Sequence, residues 1–252
     1  MRIKIFIKVS ILIPAFREEQ NIQKTIKTLQ EYLAPLDFEE EMIVVCDGNG
    51  DRTFDYAKKL ENEKTMVLNY KINQGKGYAL KYGFERSSGD LVIFFDAGLD
   101  FPPADIQRFI EYYQKTKTPV IIGSKRHPES KINYIWKRRL ISFSGQVLTR
   151  ILFNFNVRDT QVGLKLFERS VLEKIFPRVM IKKYAFDIEL LVLARYFGYE
   201  ILEAPVNLTL NWKNGSGITW QAVRDCFLDT LAVFYRLKIL KYYDKIHEKE
   251  GL

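Results

Sequence analysis

Cysteine and histidine are scarce in this chain, which has two of each in 252 residues. Cys46 and Cys226 lie far apart, with no CxxC pair or Cys/His cluster. That argues against a disulfide framework or a thiolate zinc site and fits a reducing compartment. His127 and His247 are isolated as well, which argues against a His-based metal cage and a Ser-His-Asp triad. No stretch approaches the ~20 uninterrupted apolar residues that a membrane-spanning helix needs. The amino-terminal "MRIKIFIKVSILIPAF" starts like a leader, but Lys4 and Lys8 interrupt it, Pro14 breaks it and no small-residue cleavage site follows. It reads as a strand leading out of the core. Internal repeats and low-complexity linkers are also missing, and no composition shift cuts the chain into independent domains. Two subregions of one domain are expected.

What the chain does contain is ordinary for a soluble globular protein: 47% hydrophobic and 28% charged residues. Its 39 Lys and Arg against 31 Asp and Glu leave a net charge of +8. That excess favours an anionic partner such as phosphate, acidic lipid or nucleic acid. No helix-turn-helix or RNA-binding signature accompanies the basic residues, so no nucleic-acid partner is expected.

Short apolar runs alternate with helical periodicity through the first half. Strands are expected at "VSILIPAF" (9–16), "EMIVVCD" (41–47), "TMVLNY" (65–70), "DLVIFFD" (90–96) and "PVIIGS" (119–124). Helices are expected between them, the first placing Ile22, Ile26, Leu29 and Leu33 on one face. Such alternation predicts an α/β fold around a mostly parallel sheet covered on both faces. Ligands bind such sheets beyond the carboxyl ends of the strands. Those ends are Phe16–Glu19, Asp47–Asp51, Asn73–Gly77, Asp96–Asp100 and Ser124–His127, and carboxylates are concentrated among them. Further on, helices are expected at 136–155, 185–198 and 218–243, and a strand at "YEILEAPVNLTL".

Several motifs read more than one way. Asp47, after four apolar residues at a strand end, suits hydrogen bonding to a nucleobase or ribose. Asp51 suits either a ligand site or a turn before a helix whose dipole favours a carboxylate. In "NQGKGYAL", glycines flank Lys76 at a helix start, where backbone N–H groups and the ammonium could meet phosphate, although Walker A spacing is absent. Arg126, Arg138 and Arg139 are either oxyanion ligands or a solvated basic face. Ser142 lies one helical turn beyond Arg138, on the same face. Asp187 and Glu189 sit in apolar "FDIELL", either paired with an Arg such as Arg126 or Arg158, or catalytic. The last helix is either core or an interfacial helix whose Lys238, Lys241 and Lys245 meet anionic lipid.

"ILIPAFREEQNI", "VVCDGNGDRT", "NQGKGYAL", "FFDAGLDFPP", "GSKRH", "RDTQVGLKLF" and "FDIELLVLARYFGYEILEAPV" follow one another in this order. Together, over about residues 9–212, they resemble the family 2 glycosyltransferases that make polyprenyl-phosphate sugars, the group of the dolichyl-phosphate mannose and glucose synthases. The resemblance implies a GT-A fold over 1–212, with a nucleotide-sugar half at 1–125 and an acceptor half at 126–212. Residues 213–252 would follow as an amphipathic, membrane-facing segment. It implies transfer of a hexose from a UDP- or GDP-linked donor to dolichyl or undecaprenyl phosphate, with inversion. The enzyme would sit peripherally on the cytoplasmic face of a membrane.

Carried over by position, Pro14, Phe16, Glu18, Asp47, Lys76 and Asp96 would bind the nucleotide sugar. Lys125, Arg126, Arg138 and Ser142 would bind the acceptor phosphate. Asp96 and Asp100 would hold Mg²⁺ or Mn²⁺, and with Arg126 and Arg138 form the catalytic set. One departure stands out: Gly98 occupies the second acidic position of the family's Asp-x-Asp, and Asp100 is the next carboxylate. The competing readings are a nucleotide-sugar-binding protein with impaired catalysis and a family 2 transferase with another acceptor.

Overall fold

The computed structural model describes residues 7–133, 148–154, 157–209 and 220–244. The strands are β1 (Lys8–Ala15), β2 (Glu39–Asp47), β3 (Thr65–Tyr70), β4 (Leu91–Phe94), β5 (Val120–Ser124), β6 (Lys131–Asn133), β7 (Lys165–Glu168), β8 (Ile201–Pro205) and β9 (Asn207–Thr209). The helices carrying the argument are α1 (Ile22–Leu33), α2 (Thr53–Lys58), α3 (Lys76–Phe84), α4 (Ala104–Thr116), α5 (Arg169–Ile175), α6 (Phe186–Tyr196) and α7 (Trp220–Phe234).

Seven strands form one sheet in the order β3-β2-β1-β4-β7-β5-β8. All pairings in it are parallel except those of β7, which runs antiparallel between β4 and β5. The apolar runs explain the layering. Successive side chains of a strand point to opposite faces, so a run that is apolar throughout must be covered twice. Leu12, Ile43, Val45 and Phe94 pack in one core with residues of α3 and α6. Ile11, Ile13, Val44 and Ile93 pack in the other with α1 and α4. Helix α1 turns its Ile22, Ile26, Leu29 and Leu33 inward, each worth roughly 1.5–3 kcal/mol when fully buried.

The chain lays down β1, β2 and β3 toward one edge, then returns to place β4 on the other side of β1. By the rule for open α/β sheets, ligands bind in the crevice that such a reversal makes beyond the carboxyl ends of β1 and β4. Pro14 to Glu18 leave one side of it and Asp96 to Asp100 the other.

Three elements differ from expectation. The strand expected at 199–210 is described to Thr209, and there it breaks at Val206 into β8, which pairs with β5, and β9, which pairs with β6 in a separate two-stranded sheet. Strand β7 lies within "DTQVGLKLF", where a four-residue segment is too short to show a period and begins with a charge. The last helix does not run to 243. Its α-helical part ends at Phe234, a π-helical turn follows at Tyr235–Ile239, and Lys241 takes a left-handed φ of 47°. Residues 148–153 are helical, while Arg138, Arg139, Ser142 and Lys245 lie outside the described residues. No helix among the described residues is long and apolar enough to cross a membrane.

Candidate active site

The turn after β4 brings the acids together. Phe94 and Phe95 are buried in opposite cores, which fixes Asp96 at the lip of the crevice. Thr25 on α1 donates its buried hydroxyl to the Ala97 carbonyl at 2.5 Å, tying the turn to the scaffold. Leu99 then adopts φ 54°, a left-handed conformation that is uncommon for a non-glycine residue and recurs at functional sites. The turn carries Asp100 back toward Gly98. A Cβ built on Gly98 would lie 3.8 Å from Oδ1 of Asp100, so the Asp100 carboxylate occupies the neighbourhood of the missing acid.

Glu18 faces the same space. Burial pushes its carboxyl above the ordinary range despite a hydrogen bond from Asn21, and the charges of Asp100, Asp96 and Asp51 push the same way. An edge this rich in carboxylates attracts cations. No group of three or more His, Cys, Asp or Glu side chains able to hold a metal occurs among the described residues. Asp96 and Asp100 offer two oxygen-bearing side chains at this turn. This fits a hard divalent cation that completes its shell with substrate phosphates and water.

Lys76 meets this edge as expected, with its ammonium 2.8 Å from Oδ1 of Asp96. Both side chains remain about one-third exposed, at 31% and 34%, so a ligand can reach them. Burial raises the Asp96 carboxyl, but Lys76, Lys165 and Lys125 outweigh it and hold the group below the usual carboxylate range. The glycines beside Lys76 do a different job from the phosphate cradle expected of them. The Gly75 N–H donates to Asp47 and the Gly77 N–H to the Lys182 carbonyl. A Cβ on Gly77 would run into the Phe186 ring, so this glycine permits close packing of α3 against α6.

Asp47 also differs. Its buried carboxylate accepts from the Tyr70 hydroxyl, the Asn73 amide, and the Gln74 and Gly75 N–H groups. Two carboxylate oxygens offer about four acceptor sites, and all are filled. Asp47 therefore fastens the 73–75 loop, and direct contact with a nucleobase would require exchanging one of these bonds. Asp51 behaves as a turn residue: it accepts from the Thr53 N–H at the start of α2 and from the Glu19 N–H. Phe16 is 43% exposed, with the Arg17 guanidinium 5.2 Å from its ring centre. This flat apolar surface at the end of β1 suits stacking. Pro14 is half-buried beside Val45.

Just after β5, Lys125 lies 3.5 Å from buried Asp159. Arg126 follows it, its N–H directed at Ser124 Oγ. The acids of α6 pair with neither Arg126 nor Arg158. Lys165, fully buried on β7, donates to the Val162 carbonyl and to Asp187 at 2.7 Å, and Asp187 lies 3.9 Å from Lys76. Glu189 pairs with Arg236, and Arg158 with Glu203. These partners were missed because Lys165 and Arg236 are distant in sequence: strand β7 brings in the first and the turn after α7 the second. The row Lys165, Asp187, Lys76, Asp96 alternates in charge from the core to the crevice, so each buried group has a counter-ion. Gly163 was missed too: a Cβ there would collide with the Asp96 carboxylate. A glycine just ahead of a charged strand was its one sequence signal. Cys46 is buried, and burial pushes its thiol up to about 12.

Acids and a lysine at a strand-order reversal mark a ligand site of an open α/β sheet, and comparison with known proteins gives its class. The glycosyl transferase family 2 model matches residues 10–176, and the chain belongs to that family; it is a glycosyltransferase. It is 30% identical to a dolichyl-phosphate beta-glucosyltransferase of Trichomonas vaginalis, over 94% of this chain and 76% of that one. It is 30% identical to the human dolichyl-phosphate beta-glucosyltransferase, over 80% and 67%. Among solved structures, glucosyl-3-phosphoglycerate synthase from Mycobacterium tuberculosis in complex with UDP superposes with a TM-score of 0.71 at 18% identity, over 90% of this chain and 80% of that one. That likeness is one of fold, and the fold is GT-A.

Proposed function

We propose that this glycosyltransferase moves a hexose from a nucleotide sugar to a polyprenyl phosphate, with inversion, on the cytoplasmic face of a membrane. The observation that carries this reading is the meeting of Asp96, Asp100, Glu18 and Lys76 at the β1/β4 crevice, beside the Lys125–Arg126 corner. The names of the relatives support the choice of acceptor. In this reading Phe16 stacks on the base, and Pro14, Glu18 and Asp47 shape its surroundings. Lys76 neutralises the diphosphate. Lys125 and Arg126, with Arg138 and Ser142, hold the acceptor phosphate.

A lipid phosphate is already ionised near neutral pH, so the chain need not supply a general base. Its work is alignment and charge. One phosphate oxygen attacks the anomeric carbon from the face opposite the diphosphate, a bond forms there, and the bond to the departing nucleoside diphosphate breaks. Basic residues hold two mutually repelling anions in line, which lowers both the entropic and the electrostatic cost. Asp96 and Asp100 would hold Mg²⁺ or Mn²⁺, which when bound neutralises charge on the leaving group.

The test is a lipid-product assay with UDP-glucose and GDP-mannose, dolichyl or undecaprenyl phosphate, and Mg²⁺, Mn²⁺ or chelator. Lipid-linked sugar that disappears with chelator is expected, and no product from any pair refutes the reading. Asp96→Asn should lower turnover by about 10²-fold or more. Gly98→Asp should change it by less than about tenfold, because Asp100 already fills that neighbourhood. A jump from near zero would instead mark the natural chain as a nucleotide-sugar binder.

A further inference from the structure

We propose that Glu189 is a positioning residue that ties the carboxy-terminal segment to the Lys76 loop, so that the seating of Arg236 and Tyr243 sets the geometry of the donor pocket. This rests on reading the Lys76–Asp96 edge as the nucleotide-sugar site.

Glu189 is completely buried on α6. A carboxylate there is tolerable only if its oxygens have partners, and the partners divide into two groups. Oε1 accepts from the Tyr243 hydroxyl at 2.5 Å and from Arg236 at 3.1 Å, both beyond α7. Oε2 accepts from the N–H groups of Met180 and Ile181 at 2.9 and 2.7 Å.

The next residue continues the path. The Lys182 carbonyl accepts from the Gly77 N–H at 2.9 Å. It also presses on Gly75, where an added Cβ would collide with the same oxygen. Gly75 and Gly77 bracket Lys76, which reaches Asp96 at 2.8 Å. A second tie runs alongside: Gln161 donates to the Tyr184 carbonyl and lies 3.4 Å from Cys226 Sγ on α7.

Backbone 180–182 is therefore held between a buried carboxylate and the Lys76 loop. If Oε1 loses its partners, the carboxylate must find others or draw in water. The segment gripped by Oε2 then loosens, and the Gly77 bond with it. Catalytic geometry is sensitive on this scale, since a shift of about 1 Å can cost about 10²-fold.

The test uses the full chain, with Arg236→Gln, Arg236→Lys and Tyr243→Phe. Amide hydrogen exchange is read at Met180, Ile181 and Gly77, and calorimetry reads the affinity for UDP with Mn²⁺. Arg236→Gln and Tyr243→Phe should each speed exchange at all three amides by about tenfold, because local opening becomes easier. UDP affinity should fall in parallel, and Arg236→Lys should recover most of both. Faster exchange at Met180 and Ile181 with Gly77 unchanged overturns the proposal, as does no change at any of the three. Tyr243→Phe keeps its ring in place and decides the matter if Arg236→Gln fails to fold. If the wild type binds neither UDP nor GDP, the donor-site reading falls, while exchange at Gly77 still decides whether Glu189 makes the tie.

Discussion

Helix α6 buries every residue from Phe186 to Ala194, whereas α7, similarly apolar in sequence, buries only Thr230 and Val233. On α6 even the acids are enclosed, Asp187 against Lys165 and Glu189 against Arg236. On α7 the large side chains face outward: Trp220 is 82% exposed and Leu228 53%, with Phe227 nearly half exposed. The exposed face continues through Tyr235, Ile239 and Leu240, beside Lys238 and Lys241. Apolar composition therefore does not decide burial; the partner does. Helix α6 packs against α3, α5 and α7, while α7 leaves a broad apolar face open. An exposed apolar strip with flanking lysines suits the surface of an anionic membrane, in keeping with the proposed lipid acceptor.

The largest expected effect would come from the enclosed helix. Lys165→Met leaves Asp187 buried with only the more distant Lys76, and should cost about 3–5 kcal/mol in urea unfolding. A loss under about 1 kcal/mol would mean that Lys76 suffices as counter-ion. Matched truncations put the comparison most directly. Leu191→Ala on α6 should cost about 2–5 kcal/mol, and Leu228→Ala on α7 no more than about 0.5 kcal/mol. Equal costs would show that α7 is covered by protein after all. The exposed face should matter elsewhere: Phe227→Ser with Leu228→Ser should weaken flotation with anionic vesicles while leaving the melting temperature unchanged. Unaltered flotation would remove α7 from the membrane contact.

The smallest effect concerns pH. Burial, with Asp225 nearby, raises the carboxyl of Asp229 on α7, although Arg236 and Lys183 oppose the shift. A carboxyl raised in the fold holds its proton more readily there than in the unfolded chain. Its charge therefore costs stability as pH climbs above the ordinary carboxylate range and costs nothing below it. Asp229→Asn should stabilise the protein by up to about 0.5 kcal/mol at neutral pH and flatten the pH dependence of unfolding between about pH 4 and 6. A steeper dependence in the variant would refute this.

The parallel strands and their acidic ends were legible because each apolar run is long enough to show its own pattern and ends on a polar residue. Asp96, Lys76 and Lys125 fall where that pattern places them. Partnership was not legible. Asp187 and Glu189 could be recognised as needing cations, yet Lys165 sits on an unrecognised four-residue strand and Arg236 lies 47 residues on. Asp47 and the glycines beside Lys76 stood at the expected edge, but they bond to segments that the sequence does not show as neighbours: Asp47 to Tyr70, Asn73, Gln74 and Gly75, and Gly77 to Lys182.

By itself the sequence determined the class of fold, the sheet edge at which the polar residues gather, and the acids available there, because periodicity and strand termination are local properties. Only the tertiary structure decided that Asp100 stands near the place left without an acid at Gly98, that Gly163 must leave room for Asp96, and that one apolar helix is core while the other is surface. Those are matters of distance between segments, which depend on strand order and turn geometry and not on the residues within any one segment.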